Sequence, residues 1–156
     1  MPVQRLKAFL DENGIKHVAI QHSPSFTAQE VAASAHIPGK ALAKTVMVKV
    51  DDKMAMAVVP ASHRIDFDRL REVAGASQVE LATEDEFKGF FPACDVGAMP
   101  PFGNLYDMAV YAAEALAEDE EIAFSAGSHA ELIRLSYADY RRLVSPATGT
   151  FSRRVP

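Results

Sequence analysis

Apolar residues at helical spacing open the chain. Val3, Leu6, Phe9 and Leu10 mark one face, and Gly14 supplies a C-terminal stop, so the pattern predicts a first helix. His17 to Gln21 reads as a short strand. Thr27-Ala-Gln-Glu30 has the spacing of a capping box and predicts a second helix through Val31-Ala32-Ala33, ended by Pro38-Gly39. Two runs rich in β-branched and apolar residues follow, Leu42 to Val50 and Met54 to Val59. Asp51-Asp52-Lys53 between them makes a hairpin the natural reading. Asp66 is placed to cap a helix carrying Phe67, Leu70 and Val73, which Gly75 closes. Val79 to Ala82 is a short strand, and Thr83-Glu-Asp-Glu86 is a second capping box that opens a short helix containing Phe87.

Gly97 to Gly103, with Pro100-Pro101 inside it, is too rich in proline for a central strand and is a loop. Met108 to Tyr111, Ile122 to Ser125 and Glu131 to Leu135 are strands, and Gly127-Ser128-His129 is a turn between the last two. Ser136-Tyr-Ala-Asp139 caps a final helix ending near Val144, and residues 146–156 are expected to be a mobile tail. Short strands and helices interleave without a strict βαβ repeat. The fold class expected is therefore α+β (mixed α/β): one compact domain over residues 1–145, with a mixed, mainly antiparallel sheet wrapped by short helices.

Composition narrows the class. At 156 residues, 49% hydrophobic and 24% charged, the chain can bury a core as one globular domain. Cys94 is the single cysteine, so no intrachain disulfide forms, which suits a reducing compartment. No apolar run approaches the ~20 residues that span a bilayer, and Arg5 and Lys7 interrupt the start. A cytoplasmic protein with no membrane partner is expected. The net charge of -5 argues against binding nucleic acid over the whole surface, DNA included. Lys40, Lys44 and Lys49, Arg141-Arg142 and Arg153-Arg154 nevertheless allow a local basic face. The acidic runs are Glu84-Asp85-Glu86 and Glu118-Asp119-Glu120-Glu121.

Several chemistries lack their motifs. There is no G-x-x-x-x-G-K-[ST], no G-x-G-x-x-G and no G-x-S-x-G. The five histidines, at 17, 22, 36, 63 and 129, form no pairing with other ligand types at zinc spacing. No metal and no cofactor is expected. Asp95 beside Cys94 raises the thiol pKa instead of activating it, so an inert thiol is the reading.

Three features can carry chemistry. Lys44 lies in the apolar stretch Ala41 to Val48, where a lysine is unusual, although one at a sheet edge could also snorkel into water. The loop Gly97-Ala98-Met99-Pro100-Pro101-Phe102-Gly103-Asn104 has glycines bracketing a stiff proline pair. It could present backbone N–H groups to an oxyanion, or it could be a rigid surface connection. Ser125-Ala126-Gly127-Ser128-His129 places a hydroxyl and an imidazole in a small-residue turn. Adjacent residues on an extended chain point to opposite faces, which argues against a direct Ser128–His129 dyad.

In order and spacing these features resemble the YbaK/ProRS-type editing-domain family. The family includes free-standing aminoacyl-tRNA deacylases and the insertion domain of bacterial prolyl-tRNA synthetase. The matching elements are Ala43-Lys44-Thr45-Val46, the Gly97 to Pro101 loop, Ala126-Gly127-Ser128-His129 and the early Pro24 to Glu30 segment. The resemblance implies hydrolysis of the ester joining a wrong amino acid to a tRNA 3′ end. It implies Lys44 at the terminal nucleotide's phosphate or orienting the substrate. Gly97 and the backbone of Ala98, Met99, Pro100 and Pro101 would hold the carbonyl and a water, and His129 the ribose or amino acid. The substrate-binding set it implies also takes in Phe26, Thr27, Thr45, Met47, Gly103, Gly127 and Ser128; Phe26, Met47 and Met99 could line its apolar side or equally belong to the core. Partners implied are aminoacylated tRNA and, as an option, a synthetase. One departure stands out: many relatives continue Gly-Asn-Leu-Tyr-Gly, and this chain has Gly103-Asn104-Leu105-Tyr106-Asp107, so a local change of shape is expected if that position needs positive φ.

The chemistry suits these residues, because an aminoacyl ester is already reactive. Holding a water in line and stabilising the oxyanion can suffice. Discrimination of about 1–3 kcal/mol per methylene lets small amino acids slip through a synthetase, and a second sieve removes them. Ala, Ser, Thr and Cys are the expected cargo and tRNA-Pro the expected acceptor. The other readings are a non-catalytic tRNA- or synthetase-binding module, a scaffold, and a hydrolase of another small acyl ester.

Overall fold

The computed structural model describes residues 2–22, 37–92 and 94–155. The capping box at Thr27, the helix expected after it, and the candidates Phe26 and Thr27 lie outside the described residues.

The local signals act as their chemistry requires. Helix α1 (Pro2–Glu12) ends in a left-handed Gly14, whose N–H donates to the Asp11 carbonyl, while the Ile15 N–H donates to Leu10. That pair of bonds satisfies the last carbonyls and folds the buried Ile15 back on the helix. Strand β1 (His17–Gln21) follows. Strands β2 (Leu42–Val50) and β3 (Lys53–Pro60) form the expected hairpin, with Val50 opposite Lys53. The turn is therefore two residues, Asp51 and Asp52, both at positive φ (48° and 68°), the geometry that matches strand twist.

Strand β4 (His63–Ile65) leads into α2 (Phe67–Ala74). Asp66 accepts from the Arg69 N–H at its start, and Gly75 closes it at φ 63°. Strand β5 (Val79–Leu81) precedes α3 (Glu84–Phe87), where both halves of the Thr83/Glu86 capping box form. Strands β6 (Ala109–Ala113), β7 (Glu121–Ser125) and β8 (Glu131–Ser136) lead to α4 (Tyr137–Val144), capped by Ser136.

The main sheet has the order β1-β8-β7-β2-β3-β6-β9, with β5 also paired to β2. Pairing is mixed: β2–β7, β3–β6 and β6–β9 are parallel, the others antiparallel. The α+β expectation of one domain with a mixed sheet and short helices holds.

The C-terminal stretch departs from expectation. Residues expected to hang as a mobile tail are built into the fold as β9 (Ala147–Gly149) and β10 (Ser152–Arg154). Strand β9 extends the sheet beside β6, and β10 pairs with β4 in a separate two-stranded ribbon. Phe151 between them is fully buried, and its carbonyl accepts from the Asp66 N–H. One aromatic anchor with paired strands on either side replaces the freedom expected of a chain terminus.

Strand alternation divides the core in two. Ala43 and Met47 of β2, with Met56 and Val58 across the hairpin, face the main core, which also holds Phe102, Phe124 and Tyr140. The opposite face carries two smaller clusters. One contains Val48, Val59, Leu70 and Phe151, the other Leu42, Ala61, Ala123 and Leu132. Lys44 stands in the row between them.

Candidate functional site

Lys44 does not sit at a sheet edge. Strand β2 is interior, flanked by β3 on one side and by β7 and β5 on the other. Val59 of β3 lies opposite Lys44. On the other side β2 pairs with β7 only over Leu42 and Ala43, and with β5 only over Val48 to Val50. The pairing with β7 therefore stops after Ala43, and contact on that side resumes at Met47, whose carbonyl accepts from the Ala82 N–H next to β5. Ala43 is opposite Phe124 in a parallel pairing, so Lys44 neighbours Ser125, the last residue of β7.

The Lys44 side chain is half-buried, and that desolvation lowers its pKa. Among the described residues no carboxylate lies within ion-pair distance of it, whereas Lys49 two positions beyond Met47 bridges to both Glu80 and Glu86. An ammonium held part-way out of water without a counter-ion is a place where an anion would be welcome.

The loop and the turn are joined at the end of β7. Gly97 has φ 85°, a left-handed conformation that favours glycine. A methyl group placed on it would lie 3.7 Å from Cε1 of His129, so the imidazole lies over Gly97. Asp95 ties the pieces together. Its carboxylate accepts from the His129 N–H (3.1 Å), its N–H donates to the Gly127 carbonyl (2.9 Å), and its carbonyl accepts from Ala98 N–H (3.0 Å). The Gly127 N–H in turn donates to the Ala98 carbonyl (2.8 Å). Ser128 Oγ accepts from the Ala130 N–H, making the small turn that aims His129.

The remainder of the loop is no surface connection. Residues 98–103 are all buried, Met99 and Phe102 within the main core. The Tyr140 hydroxyl, completely buried, donates to the Pro101 carbonyl at 2.8 Å. Gly103 is required sterically: a Cβ there would meet Met108 O and Val110 Cγ2, each at 2.5 Å. Met47 and Met99, for which pocket wall and core were both open readings, are packed among main-core side chains. Thr45 lies on β2 next to Lys44.

Asp107 does adopt positive φ (58°) where the relatives' pattern has glycine. The strain of that conformation falls on an exposed aspartate. Cys94 is half-buried, and its thiol pKa is raised, first by burial and then by Asp95, against a hydrogen bond with Tyr106.

The structure thus brings Gly97, Gly127, Ser128 and His129 together directly, with Lys44 arriving at the same end of β7 from the sheet's other face. Sequence reading missed Asp95 and Tyr140 as organisers. Asp95-Val96-Gly97 was the available signal, an aspartate two positions before a glycine being a common turn former. Tyr140 left none, because its partner is a backbone carbonyl distant in sequence. Among the described residues no group of three or more His, Cys, Asp or Glu is placed to hold a metal ion.

The chain belongs to the aminoacyl-tRNA editing domain family, whose model matches residues 22–143. It is 34% identical over 89 residues to the proline–tRNA ligase of Bacillus cereus (strain AH187), and 35% to that of Bacillus cytotoxicus. Those matches cover 57% of this chain and 16% of each ligase, so the chain spans about a sixth of these relatives' length. Among solved structures it resembles hypothetical protein APE2540 (TM-score 0.85, 19% identity, 96% of this chain and 99% of that one). It also resembles one described as a candidate trans-editing enzyme for prolyl tRNA synthetase (TM-score 0.82, 19% identity, 97% of both). At that identity the structural likeness establishes the fold.

Proposed function

We propose that this chain hydrolyses the ester of a small, wrongly attached amino acid, Ala, Ser, Thr or Cys, on a non-cognate tRNA in the cytoplasm, acting without a metal or cofactor. The relatives' names make tRNA-Pro the acceptor to test first. The observation that carries the reading is the junction at the end of β7. There His129 lies over a left-handed Gly97, and Lys44 on the neighbouring strand has no carboxylate partner among the described residues.

Each group has a role its surroundings support. Lys44 would receive the phosphate of the terminal nucleotide, which supplies the charge its half-buried ammonium lacks. The backbone from Gly97 to Pro101 would hold the aminoacyl carbonyl and a water against it, in a loop fixed by Asp95 and Tyr140. A fixed loop costs little reorganisation as charge develops on the carbonyl oxygen. His129 would bind the terminal ribose or the amino acid. Water attack on the ester carbon gives a tetrahedral intermediate. Its collapse releases the free amino acid and returns the ribose hydroxyl with its proton.

The test is deacylation of tRNAs charged with Ala, Ser, Thr, Cys and Pro by the chain and its Lys44→Ala variant. Faster loss of one or more small amino acids than in buffer, abolished by the substitution, is expected. No acceleration for any charged tRNA would favour a binding module of the same fold.

A further inference from the structure

The ribbon of β4 and β10 has an unusual charge pattern for this protein. Its six strand positions hold three arginines, one histidine and no acid, in a chain of net charge -5. Arg64 lies directly opposite Arg153, and His63 directly opposite Arg154. Like charges facing each other across a strand pair are destabilising, so folding alone gives no reason for this arrangement. Arg153 is partly compensated, its Nη2 donating to Asp66 at 2.8 Å. Arg64 and Arg154 are exposed, and among the described residues no carboxylate lies within ion-pair distance of either.

The ribbon also starts at the candidate site. Val59, opposite Lys44, is four residues before His63, and β3 passes into β4 through one short turn. Lys44 and Arg154 both act electrostatically on His63, which burial already biases toward its neutral form, so the lysine and the ribbon arginine share one field, opposed on one side by Glu118. His63 is held in place by a 2.8 Å hydrogen bond between Nδ1 and Ser152 Oγ. The acidic run from Glu118 to Glu121 would repel a polyanion on its own side and confine it to the arginines.

We infer that the β4–β10 ribbon is an RNA-backbone track, along which Arg64, Arg153 and Arg154 bind the phosphates that lead away from the nucleotide held at Lys44. The inference rests on the proposed function for its choice of RNA, but it is separable by experiment. Phosphate contacts release counter-ions, so binding weakens with salt by a slope of about 0.7 per contact on single-stranded nucleic acid.

The experiment is a salt titration of binding to an uncharged RNA minihelix ending in CCA, read by fluorescence anisotropy. It uses the full chain, its Arg64→Gln/Arg154→Gln double variant, and Lys16→Gln as an exposed control off the ribbon. Both arginines are exposed and lack ion-pair partners, and a thermal melt checks that the double variant is folded. The double variant is expected to show a slope shallower by about 1.4, so the wild type loses about sevenfold more affinity between 50 and 200 mM salt. The control keeps the wild-type slope. A double variant with the wild-type slope overturns the track, even if deacylation is intact. A shallower slope in a protein that deacylates nothing supports the track and costs the proposed function instead.

Discussion

Two constructions meet at the end of β7. The Gly97–His129 junction and its loop are locked. Four backbone or carboxylate hydrogen bonds, a buried tyrosine hydroxyl and a glycine with no room for a methyl group hold them. The Lys44 side and the ribbon beyond it are under-compensated, with a half-buried ammonium and two exposed arginines short of counter-charge. The first region is held by its own bonds; in the second, the cations lack carboxylate partners among the described residues, which is where the proposed function places the ligand. That difference separates residues that shape the site from residues that serve a ligand, and substitutions should divide along the same line.

The strongest break falls in the locked region. Gly103→Ala places a methyl 2.5 Å from Met108 O and Val110 Cγ2 and should cost about 3 kcal/mol, read as a lowered midpoint in urea. A cost under about 0.5 kcal/mol would mean that the loop yields and is not locked. Tyr140→Phe leaves the buried Pro101 carbonyl without its donor and should cost about 1–3 kcal/mol. If the loop positions the ester carbonyl, deacylation falls with it at temperatures where the variant is still folded.

Asp107→Gly works in the opposite direction. It removes a side chain from a left-handed position (φ 58°) and should stabilise the protein by up to about 1 kcal/mol. An unchanged or lowered midpoint would show that the aspartate is not strained there. Acid sensitivity gives the smallest signal. The Lys49 ammonium, then the Thr83 N–H, hold the Glu86 carboxyl down at about 2 against an ordinary 4.5. Its folded pKa is below its unfolded one, so this contribution is complete above about 4.5 and is lost as pH falls toward 2. Glu86→Gln should flatten the pH dependence of the urea midpoint in that window and lower the midpoint near neutrality, where the contribution is complete. Glu86 is fully exposed, so the difference will shrink in high salt.

The contrast between the regions also explains what the sequence could convey. The elements with local signals were legible: the Asp51-Asp52 hairpin, the Asp66 and Thr83 caps, Gly75, and the helix after Ser136. Each depends on residues within a few positions of one another. The candidate junction was legible as separate pieces, Lys44, the Gly97 loop and the Gly127 turn. What joins them was not, because Asp95 to His129 and Tyr140 to Pro101 are long-range pairs involving backbone groups that carry no side-chain signature. The tail was misread for the same reason. Ser152 to Arg154 is three residues long and polar, and it becomes a strand only because His63 to Ile65 offers it an edge and Phe151 has a core to enter. The placement of Lys44 on an interior strand likewise needed the pairing of β2 with β7.

The central claim is that Lys44 serves a ligand and not the fold. Stability and deacylation of small aminoacyl-tRNAs, measured on one preparation of Lys44→Ala, test it directly. Because burial disfavours the Lys44 charge, the account predicts a midpoint within about 0.5 kcal/mol of wild type and loss of the deacylation that wild type shows. A variant that is well folded and still deacylates at the wild-type rate would contradict it.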